Sequence, residues 1–384
     1  MTPIVHSNFE IQGRRFAKYF RTEHGDAVAH TAVHTIFDGH SIGGSRFVLE
    51  GALAELGHLS AAMTYKCRRA RIDAGGQKSL IVCEGDRLPS PGRRADILTD
   101  HAVFVVERYP GAIFGPDMNA GEDVMDCVAS RPGLLRHVTG LSERRGGLAI
   151  DRNGYTAIGI ETAARWWWEL AGPDEVSVAI QGFGAVGAHT ACLLDESGMA
   201  VVAVSNQLGC IVARDGGPIA VQPLFRAWKE GGDAEVIAVA SRHRDTLVID
   251  DPNALFEVPC SLLVPAARTT VLADEAELEA ARLECPDVRT IEPYLDRSGV
   301  RAIVEAANHP LSDGARTAAR RRGIAVLEDS AVNVGGLVGC FEEWKNRAST
   351  NPVSLDALAT AATRSIRSTV LRNLDAAQGA NLVG

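Results

Sequence analysis

The sequence VAIQGFGAVGAHTACLLDESG, at residues 178–198, carries the strongest fold signal in the chain. An apolar run typical of a strand leads into Gly182, and Gly184 and Gly187 follow at the start of a helical pattern. In such a motif the first glycine permits a tight turn, the second lets the main chain approach a pyrophosphate, and the third lets helix and strand pack closely. Oriented N–H groups at the helix N-terminus favour an anion. The motif predicts a dinucleotide-binding loop made of Gly182, Phe183, Gly184, Ala185, Val186 and Gly187.

Beyond this loop, short apolar runs alternate with helical segments. The runs are MAVVAVSN (199–206), CSLLVPAA (260–267), VRAIVEAAN (300–308) and IAVLEDS (324–330). This alternation is typical of a parallel sheet that helices cover on both faces. We therefore predict a Rossmann-like, doubly wound dinucleotide-binding domain over residues 151–335, and assign Ala266 and Ala267 to the cofactor site as well.

Residues 1–150 are predicted to form a separate α/β domain that binds the substrate. The strand-like runs AHTAVHTIF (29–37), SLIVCEG (79–85) and HAVFVVERY (101–109) are interleaved with the amphipathic stretch FVLEGALAELGHLSAAMTYKC (47–67). The last segment, 336–384, has a helical pattern and is expected to return to this first domain. Apolar residues make up 46% of the chain, which is enough for a core in each domain.

The overall composition favours small-molecule chemistry. A net charge of -9 provides no broad basic surface for a nucleic acid or an anionic membrane, so neither is predicted as a partner. The eight cysteines are scattered singly, without a CxxC pair or His partners at metal-ligand spacing, so we predict reduced thiols and no metal site. Because the sequence shows neither a secretory signal nor a membrane-spanning apolar run, we predict a cytoplasmic location.

Lysine is rare in this chain: 5 of the 39 basic residues are lysines, and the other 34 are arginines. Two of the five, Lys66 and Lys78, lie in MTYKCRRARIDAGGQKS (63–79), the second after a Gly-Gly pair expected to form a turn. A desolvated lysine can act as a base near neutral pH, whereas arginine stays charged. The two lysines therefore indicate proton chemistry, although two solvated surface lysines are an equally simple interpretation.

Asp117 follows a strand-like run in AIFGPDMNAGEDVMD (112–126). Taken alone, an Asp after Pro is most often a turn former. It gains significance because a lysine base, a carboxylate that carries a proton and a hydride acceptor are together the parts that oxidative deamination requires.

At these residues the chain resembles the glutamate, leucine, phenylalanine and valine dehydrogenase family. The resemblance extends from about residue 38 to about residue 345 and rests on motifs in a fixed order. They are Gly43-Gly44-Ser45-Arg46, MTYK ending at Lys66, GGxK ending at Lys78, Pro116-Asp117, Thr156 before a helix, GFGAVG, EAANHP (305–310) and NVGG (333–336).

The resemblance implies an NAD(P)-dependent enzyme that converts an L-amino acid to its 2-oxo acid and ammonia, or the reverse, and that forms a homo-oligomer. By resemblance Lys66 would hold the substrate carboxylate, Lys78 would be the general base, and Asp117 would shuttle a proton. The residues near the nicotinamide would be Thr156, Asn308 and Asn333, and Asn308 would also contact the substrate.

The side chain of the substrate is predicted to be apolar or aromatic, with aromatic slightly favoured. In the members that resemble glutamate dehydrogenase, a Lys just before the Gly-Gly pair contacts the distal carboxylate, and this chain has Ile42 there. Burying a carboxylate against Ile would be costly, which argues against glutamate. By resemblance the pocket is lined by small or apolar residues, namely Ile42, Gly43, Gly44, Gly115, Leu337 and Cys340.

The cofactor prediction is NAD, with NADP left open. At the end of the strand after the Gly-rich helix, where Asp or Glu normally meets the ribose 2′-hydroxyl, the chain has Ser205 and Asn206. Asn can bond a hydroxyl and would not repel a 2′-phosphate, but no Arg stands beside it to bind that phosphate.

The chain departs from the family pattern at a few positions. Gln77 replaces a glycine before Lys78 and is expected to threaten the orientation of that lysine. Met118-Asn119-Ala120 replaces Val-Gly-Thr, and Ala306 replaces a glycine. Two other interpretations therefore stay open: a non-catalytic dinucleotide-binding regulator, and a dehydrogenase that acts on a substrate other than an amino acid.

Overall fold

The computed structural model describes residues 4–11, 13–49, 53–171 and 173–381. Two compact units are present: Met1–Asn153 with Gly336–Thr369, and Gly154–Gly335 with Val370–Gly384. Each unit combines a sheet with helices, which confirms the predicted α/β fold. None of the helices in the described ranges combines the length and apolar character needed to cross a membrane.

The strands and helices follow one another along both units. The strands are β1 (Ile4–Ile11), β2 (Arg14–Glu23), β3 (Ala27–Val33), β4 (Ser41–Val48), β5 (Gly75–Cys83), β6 (Ala112–Pro116), β7 (Ser177–Gln181), β8 (Ala200–Asn206), β9 (Gly209–Ala213), β10 (Thr246–Ile249), β11 (Leu262–Pro265), β12 (Leu272–Ala273), β13 (Arg289–Thr290), β14 (Ala302–Val304) and β15 (Ala325–Leu327). The helices are α1 (Leu53–Ala70), α2 (Pro91–Val106), α3 (Glu122–Ala129), α4 (Tyr155–Ala171), α5 (Ala185–Glu196), α6 (Val221–Arg242), α7 (Leu278–Glu284), α8 (Ile291–Arg297), α9 (Asp313–Arg321), α10 (Asp329–Val332), α11 (Gly335–Ala348) and α12 (Leu355–Asn381).

The first unit is built on a six-stranded sheet with the order β1-β2-β3-β5-β4-β6. Strands β1, β2, β3 and β5 pair antiparallel, whereas β4 runs parallel to both β5 and β6. Helix α1 connects β4 to β5, and α2 connects β5 to β6, because strands that run parallel need a crossover connection.

The two faces of this sheet have different partners. Gly76 faces α1, because a Cβ at Gly76 would lie 2.1 Å from the main-chain nitrogen of Thr64. On the other face Phe47 and Phe114 pack into a core with Leu98 of α2 and Met125 of α3. Since side chains alternate along a strand, the even-numbered residues at the start of β5 face α1 and the odd-numbered ones face α2 and α3.

Two local expectations for the first unit were wrong. The run HAVFVVERY (101–109) is the C-terminal part of helix α2 and the turn after it, with no strand. Ser90 caps this helix by accepting a hydrogen bond from Arg93 N–H, and Pro91 opens it, so local start signals override an apolar run that could also form a buried strand. The Gly-Gly pair before Lys78 lies inside β5 and forms no turn.

The second unit has a seven-stranded sheet with the order β10-β9-β8-β7-β11-β14-β15. Strands β8, β7, β11, β14 and β15 are parallel, and the hairpin partner β9 and strand β10 complete one edge. The chain passes from β7 through α5 to β8 on one side, and later returns to β11 on the other side of β7. Ligands of doubly wound sheets bind at such a reversal, beyond the carboxyl ends of the strands.

Helix α11 is anchored in the first unit by a buried carboxylate. Glu343 Oε2 accepts a hydrogen bond of 2.9 Å from Leu148 N–H, and its Oε1 accepts from Leu141 N–H at 3.2 Å and from Arg347 at 2.6 Å. Burial raises the pKa of Glu343, and these donors act against that rise. The carboxylate holds the loop before residue 149 against the helix.

Candidate active site

The first unit brings Lys78 and Asp117 into direct contact. Lys78 lies on β5 and Asp117 directly follows β6, and the Lys78 ammonium forms an ion pair with Asp117 Oδ2. Only 8% of the Lys78 side chain is exposed, against 19% for Asp117. Strand β4 lies between β5 and β6 in the sheet, so the pair bridges over this intervening strand.

Arg46, a residue outside the predicted site, completes this ion cluster. Its Nε donates to Asp117 Oδ2 at 3.3 Å, and one terminal nitrogen lies 3.2 Å from Glu55 Oε1. Asp117 Oδ1 also accepts a hydrogen bond of 2.8 Å from Met118 N–H. Burial acts to raise the pKa of Asp117, but Lys78 and Arg46 outweigh burial and hold that pKa well below its usual range. Strand alternation could have found Arg46, since it is two residues from Gly44 and shares its face.

Gly44 lets the cluster form across the sheet. A Cβ at Gly44 would lie 2.7 Å from Pro116 O, 2.8 Å from Asp117 Cβ and 3.2 Å from Lys78 Nζ. Because two of these atoms are fixed by the main chain, a side chain at this position would displace Asp117. Gly44 therefore allows Asp117 to approach Lys78.

The other predicted pocket residues of β4 and β6 have distinct positions. Ile42 pairs with Gly76 and Ile113, is 1% exposed, and shares the α1 face with Gly44. Gly43 faces the opposite side, where its Cβ would lie 1.8 Å from Gln77 O. Gly115 pairs with Gly44, and a methyl group there would make an ordinary contact of 3.6 Å with Thr139 Cγ2.

Gln77 is on the opposite face of the sheet from Lys78. Its amide is fully buried: Oε1 accepts from Ser41 Oγ at 2.6 Å, and Nε2 donates to Ile113 O at 3.0 Å. The side chain thus links β5 to β4 and β6 on the side of α2 and α3. The expectation that Gln77 crowds Lys78 does not match this geometry.

Two predicted substrate residues lie on α11 and one on α1. Cys340 is connected to the sheet through Thr139, whose Oγ1 donates to Cys340 O at 2.6 Å. Leu337 is half-buried and precedes Cys340 by three residues, so both share one side of α11. Lys66 is half-buried on α1, the helix that covers the same sheet face as Lys78.

In the second unit the Gly-rich loop forms a tight turn between strand β7 and helix α5. Gly182 directly follows β7 with φ +94°, and its N–H donates to Ser205 O at 2.9 Å. A Cβ at Gly187 would lie 1.8 Å from Gly182 O, so only glycine permits this approach of helix and strand. Gly184 is the N-cap of α5, and within the described residues no side chain caps that helix end. Phe183 is buried, and Ala185 and Val186 form the first turn of α5.

Several predicted cofactor residues gather at the carboxyl ends of β7, β11 and β14. Ala266 N–H donates to Gln181 O at 2.7 Å, and Ala267 Cα lies 2.7 Å from the place of a Cβ on Gly182. Asn333 Nδ2 lies 3.2 Å from Asn308 Oδ1. The half-buried Thr156 belongs to the first turn of α4, and its Cα would lie 2.9 Å from a Cβ on Gly335.

The pair predicted to meet the ribose is largely engaged within the protein. Ser205 and Asn206 end β8 and are buried. Asn206 Oδ1 accepts from Leu208 N–H at 2.9 Å, and its Nδ2 donates to Asp233 O at 3.1 Å. The amide therefore fixes the β8–β9 hairpin and a segment of α6.

A buried ion network that sequence reasoning missed supports the loop after β14. Glu305 is fully buried, and Arg316 donates to its two oxygens at 2.8 and 2.9 Å. Asp329 N–H donates to Glu305 Oε2 at 3.0 Å, and Asp329 Oδ2 accepts from His309 N–H at 3.2 Å. The network fixes the segment that carries Asn308. The Glu of EAANHP was its only local signal.

Two family models match the chain. The model for glutamate/leucine/phenylalanine/valine dehydrogenase matches residues 146–381, and that for the Glu/Leu/Phe/Val dehydrogenase dimerisation domain matches residues 17–131. The chain belongs to this dehydrogenase family. The resemblance found in the sequence is thereby confirmed, and the protein is an NAD(P)-dependent amino-acid dehydrogenase.

Curated relatives agree with this assignment, and a solved structure shares the fold. A glutamate dehydrogenase of Thermotoga maritima is 30% identical over 322 residues, which cover 81% of this chain and 70% of the relative. An NADP-specific glutamate dehydrogenase of Saccharolobus shibatae is 28% identical and covers 81% of this chain and 69% of its own length. The hetero-hexameric glutamate dehydrogenase of Thermus thermophilus, in a Leu-bound form, has the same fold, with a TM-score of 0.73, 22% identity, and coverage of 96% of this chain and 82% of that one.

Proposed function

We propose that this dehydrogenase uses NAD to deaminate an L-amino acid with an apolar or aromatic side chain, and that it also runs the reverse reductive amination. The observation that carries the proposal is the buried Lys78–Asp117 pair on a sheet face that also holds Ile42. The pair supplies the proton chemistry, and Ile42 supplies an apolar contact where a glutamate-specific enzyme would need a cation.

The proposed roles follow from the chemistry of the pair. In its neutral form Lys78 would take the proton from the substrate ammonium. Once it has released that proton to solvent, it would act again as base on the water that attacks the iminium. Asp117 is a carboxylate in this arrangement, because Lys78 and Arg46 hold its pKa low, so a proton that it passes on must first reach it from Lys78 or from the substrate. Lys66 would hold the substrate carboxylate.

The side-chain pocket would be formed by Ile42, Gly115, Leu337 and Cys340 together with Gly44. Gly43, whose Cβ position faces the other side of the sheet, would contribute its main chain alone. Gly115 supports this view, since the space beside it accepts a methyl group with a 3.6 Å contact to Thr139. The named relatives are glutamate dehydrogenases, so glutamate is the second candidate substrate.

The residues of the second unit fit a dinucleotide. Gly182, Gly184 and Gly187 would let the main chain and the α5 N-terminus hold the pyrophosphate. Ala266, Ala267, Asn308, Asn333 and Thr156 would surround the nicotinamide end. When bound, the dinucleotide supplies the hydride acceptor.

We further propose a homo-oligomer in the cytoplasm. The match of residues 17–131 to a dimerisation domain supports the assembly. All eight cysteines are free thiols, which supports a reducing compartment.

The test is reduction of NAD and NADP with a panel of L-amino acids: phenylalanine, tryptophan, tyrosine, leucine, valine and glutamate. We expect turnover with the apolar or aromatic members, and at least about a 100-fold lower kcat in Lys78→Ala. Lys18→Ala is the control, because this lysine of β2 lies 5.8 Å over the Tyr109 ring and should leave kcat unchanged.

Each other outcome rejects a different part of the proposal. A preference for glutamate would reject the apolar pocket. Full activity in Lys78→Ala would reject the proton role. Dinucleotide binding without turnover of any amino acid would favour a substrate of another class.

A further inference from the structure

Helix α6 is broken in the middle, and the break lies beside the end of strand β8. Gly232 has φ 65° and ψ -153°, values that no helix contains, so the segment is two helices joined at this residue. The sequence around the break is Glu230-Gly231-Gly232-Asp233. Only glycine adopts such a conformation readily, so the break is encoded in the sequence by the paired glycines.

Asn206 attaches the break to the cofactor edge of the sheet. This residue is the last of β8, and its buried side chain donates from Nδ2 to Asp233 O at 3.1 Å. Asp233 therefore stands next to the carboxyl end of β8. In doubly wound domains this is where an acidic residue meets the ribose 2′-hydroxyl. Here the strand itself ends in Ser205 and Asn206, and neither is acidic.

The carboxylate of Asp233 is available to bind a ligand. An Asp that opens a helical segment usually caps it by accepting main-chain N–H bonds. Within the described residues, no hydrogen bond or ion pair engages the Asp233 carboxylate, and the residue is half-buried. Asn206 thus uses the main chain of Asp233 as its acceptor and leaves the charged group available.

We propose that Asp233, which the α6 break places at the end of β8, is the residue that selects NAD over NADP. Its carboxylate accepts a hydrogen bond from the ribose 2′-hydroxyl and repels a 2′-phosphate. Helix α6 thus supplies the acidic residue that is missing from the end of β8. The hydrogen bond from Asn206 holds Asp233 in place. This inference rests on the proposed binding of a dinucleotide to the Gly-rich loop.

A second acid near the same hairpin makes a matched control. The exposed Asp250 follows β10, and its Cα would lie 3.7 Å from a Cβ on Gly209, the first residue of β9. It carries the same charge at the same edge of the sheet, but it lies on the far side of the hairpin. A general effect of negative charge would appear equally in both acids, whereas a direct ribose contact would appear only in Asp233.

The experiment measures the dissociation constants of NADH and NADPH by fluorescence titration for the wild type and for Asp233→Asn, Asp233→Glu and Asp250→Asn. We expect the wild type to prefer NADH. In Asp233→Asn the ratio of the two constants should shift toward NADPH by about tenfold or more. Asp233→Glu should keep the preference, and Asp250→Asn should shift the ratio by no more than about twofold.

An unchanged ratio in Asp233→Asn, an equal shift in Asp250→Asn, or a wild type that prefers NADPH would overturn the proposal. Because the readout is binding, its failure is distinct from failure of the proposed function. A wild type that turns over no amino acid but shows an NADH preference dependent on Asp233 would reject the function and keep this inference. Binding of neither dinucleotide would reject both.

Discussion

Each unit of the molecule contains a buried ion cluster, and the two clusters differ in how completely their charges are satisfied. In the first unit Asp117 lies between Lys78 and Arg46, and its side chain is 19% exposed. In the second unit Glu305 is fully buried, and its two oxygens receive bonds from Arg316 and Asp329 N–H.

The pKa values of the two carboxyl groups move in opposite directions. For Asp117 the neighbouring cations outweigh burial and lower the pKa, whereas for Glu305 burial outweighs Arg316 and raises it. An accessible carboxylate between two cations can exchange protons with a substrate. A closed bidentate pair is suited to fix a loop, here the one that carries Asn308.

The largest effect on stability is expected from Arg316→Met. The substitution leaves Glu305 buried without its cation, so the free energy of unfolding at neutral pH should fall by about 3 to 5 kcal/mol. Urea unfolding measures this loss. Because the loss comes from an unpaired charge, adding Glu305→Leu to the same chain should recover much of it.

Arg320→Met is the matched control for that loss. Arg320 pairs with Glu328 at 2.6 Å, but 48% and 36% of the two side chains are exposed. Its loss should cost less than about 1 kcal/mol. Equal losses in the two variants would mean that the Glu305 network is no more than a surface pair.

A smaller effect, which depends on pH, is expected from Asp117→Asn. The folded pKa of Asp117 lies below its unfolded value of about 3.9, so its contribution to stability is present above that pH and is lost as the pH falls further. The stability difference between wild type and variant should therefore shrink between about pH 5 and pH 3. A difference that stays constant in urea unfolding over this range would contradict the low pKa.

Local signals in the sequence predicted the Gly-rich loop well, because strand, glycines and helix follow one another within residues 178–198. The sequence marked Lys78 and Asp117 separately as candidates, and the family resemblance gave each a role, but their contact joins two strands that no local pattern brings together. HAVFVVERY was misassigned because a short apolar run fits a buried helix as well as a strand.

Contacts between distant segments could not be predicted from the sequence. The break in α6 brings Asp233 into contact with Asn206 at the end of β8, although the two residues are 27 positions apart in the sequence. No hydrophobic periodicity or sequence motif predicts this contact. Arg316 reaches Glu305 from the next helix in the same manner. Such pairs depend on how the helices pack against the sheet, and the local hydrophobic pattern does not specify this packing.

Gln77 is the position where sequence and structure differ most usefully. Because the Gly-Gly pair lies inside β5, Gln77 and Lys78 point to opposite faces, and Gln77 bonds Ser41 and Ile113 instead of crowding the lysine. Gln77→Leu should therefore change kcat by less than about twofold, since the face that carries Lys78 is untouched, while unpaired partners lower the free energy of unfolding by about 1 to 3 kcal/mol.

Gly44→Ala provides the contrast on the face that carries Lys78. Its new Cβ would lie 2.8 Å from Asp117 Cβ, so kcat should fall by about tenfold or more as Asp117 is displaced from Lys78. Steady-state kinetics of the two variants, with urea unfolding alongside, separates the faces. If Gln77→Leu lowered kcat as strongly as Gly44→Ala, the amide would act on Lys78 through the strand, and the assignment of the two faces to separate roles would have to be abandoned.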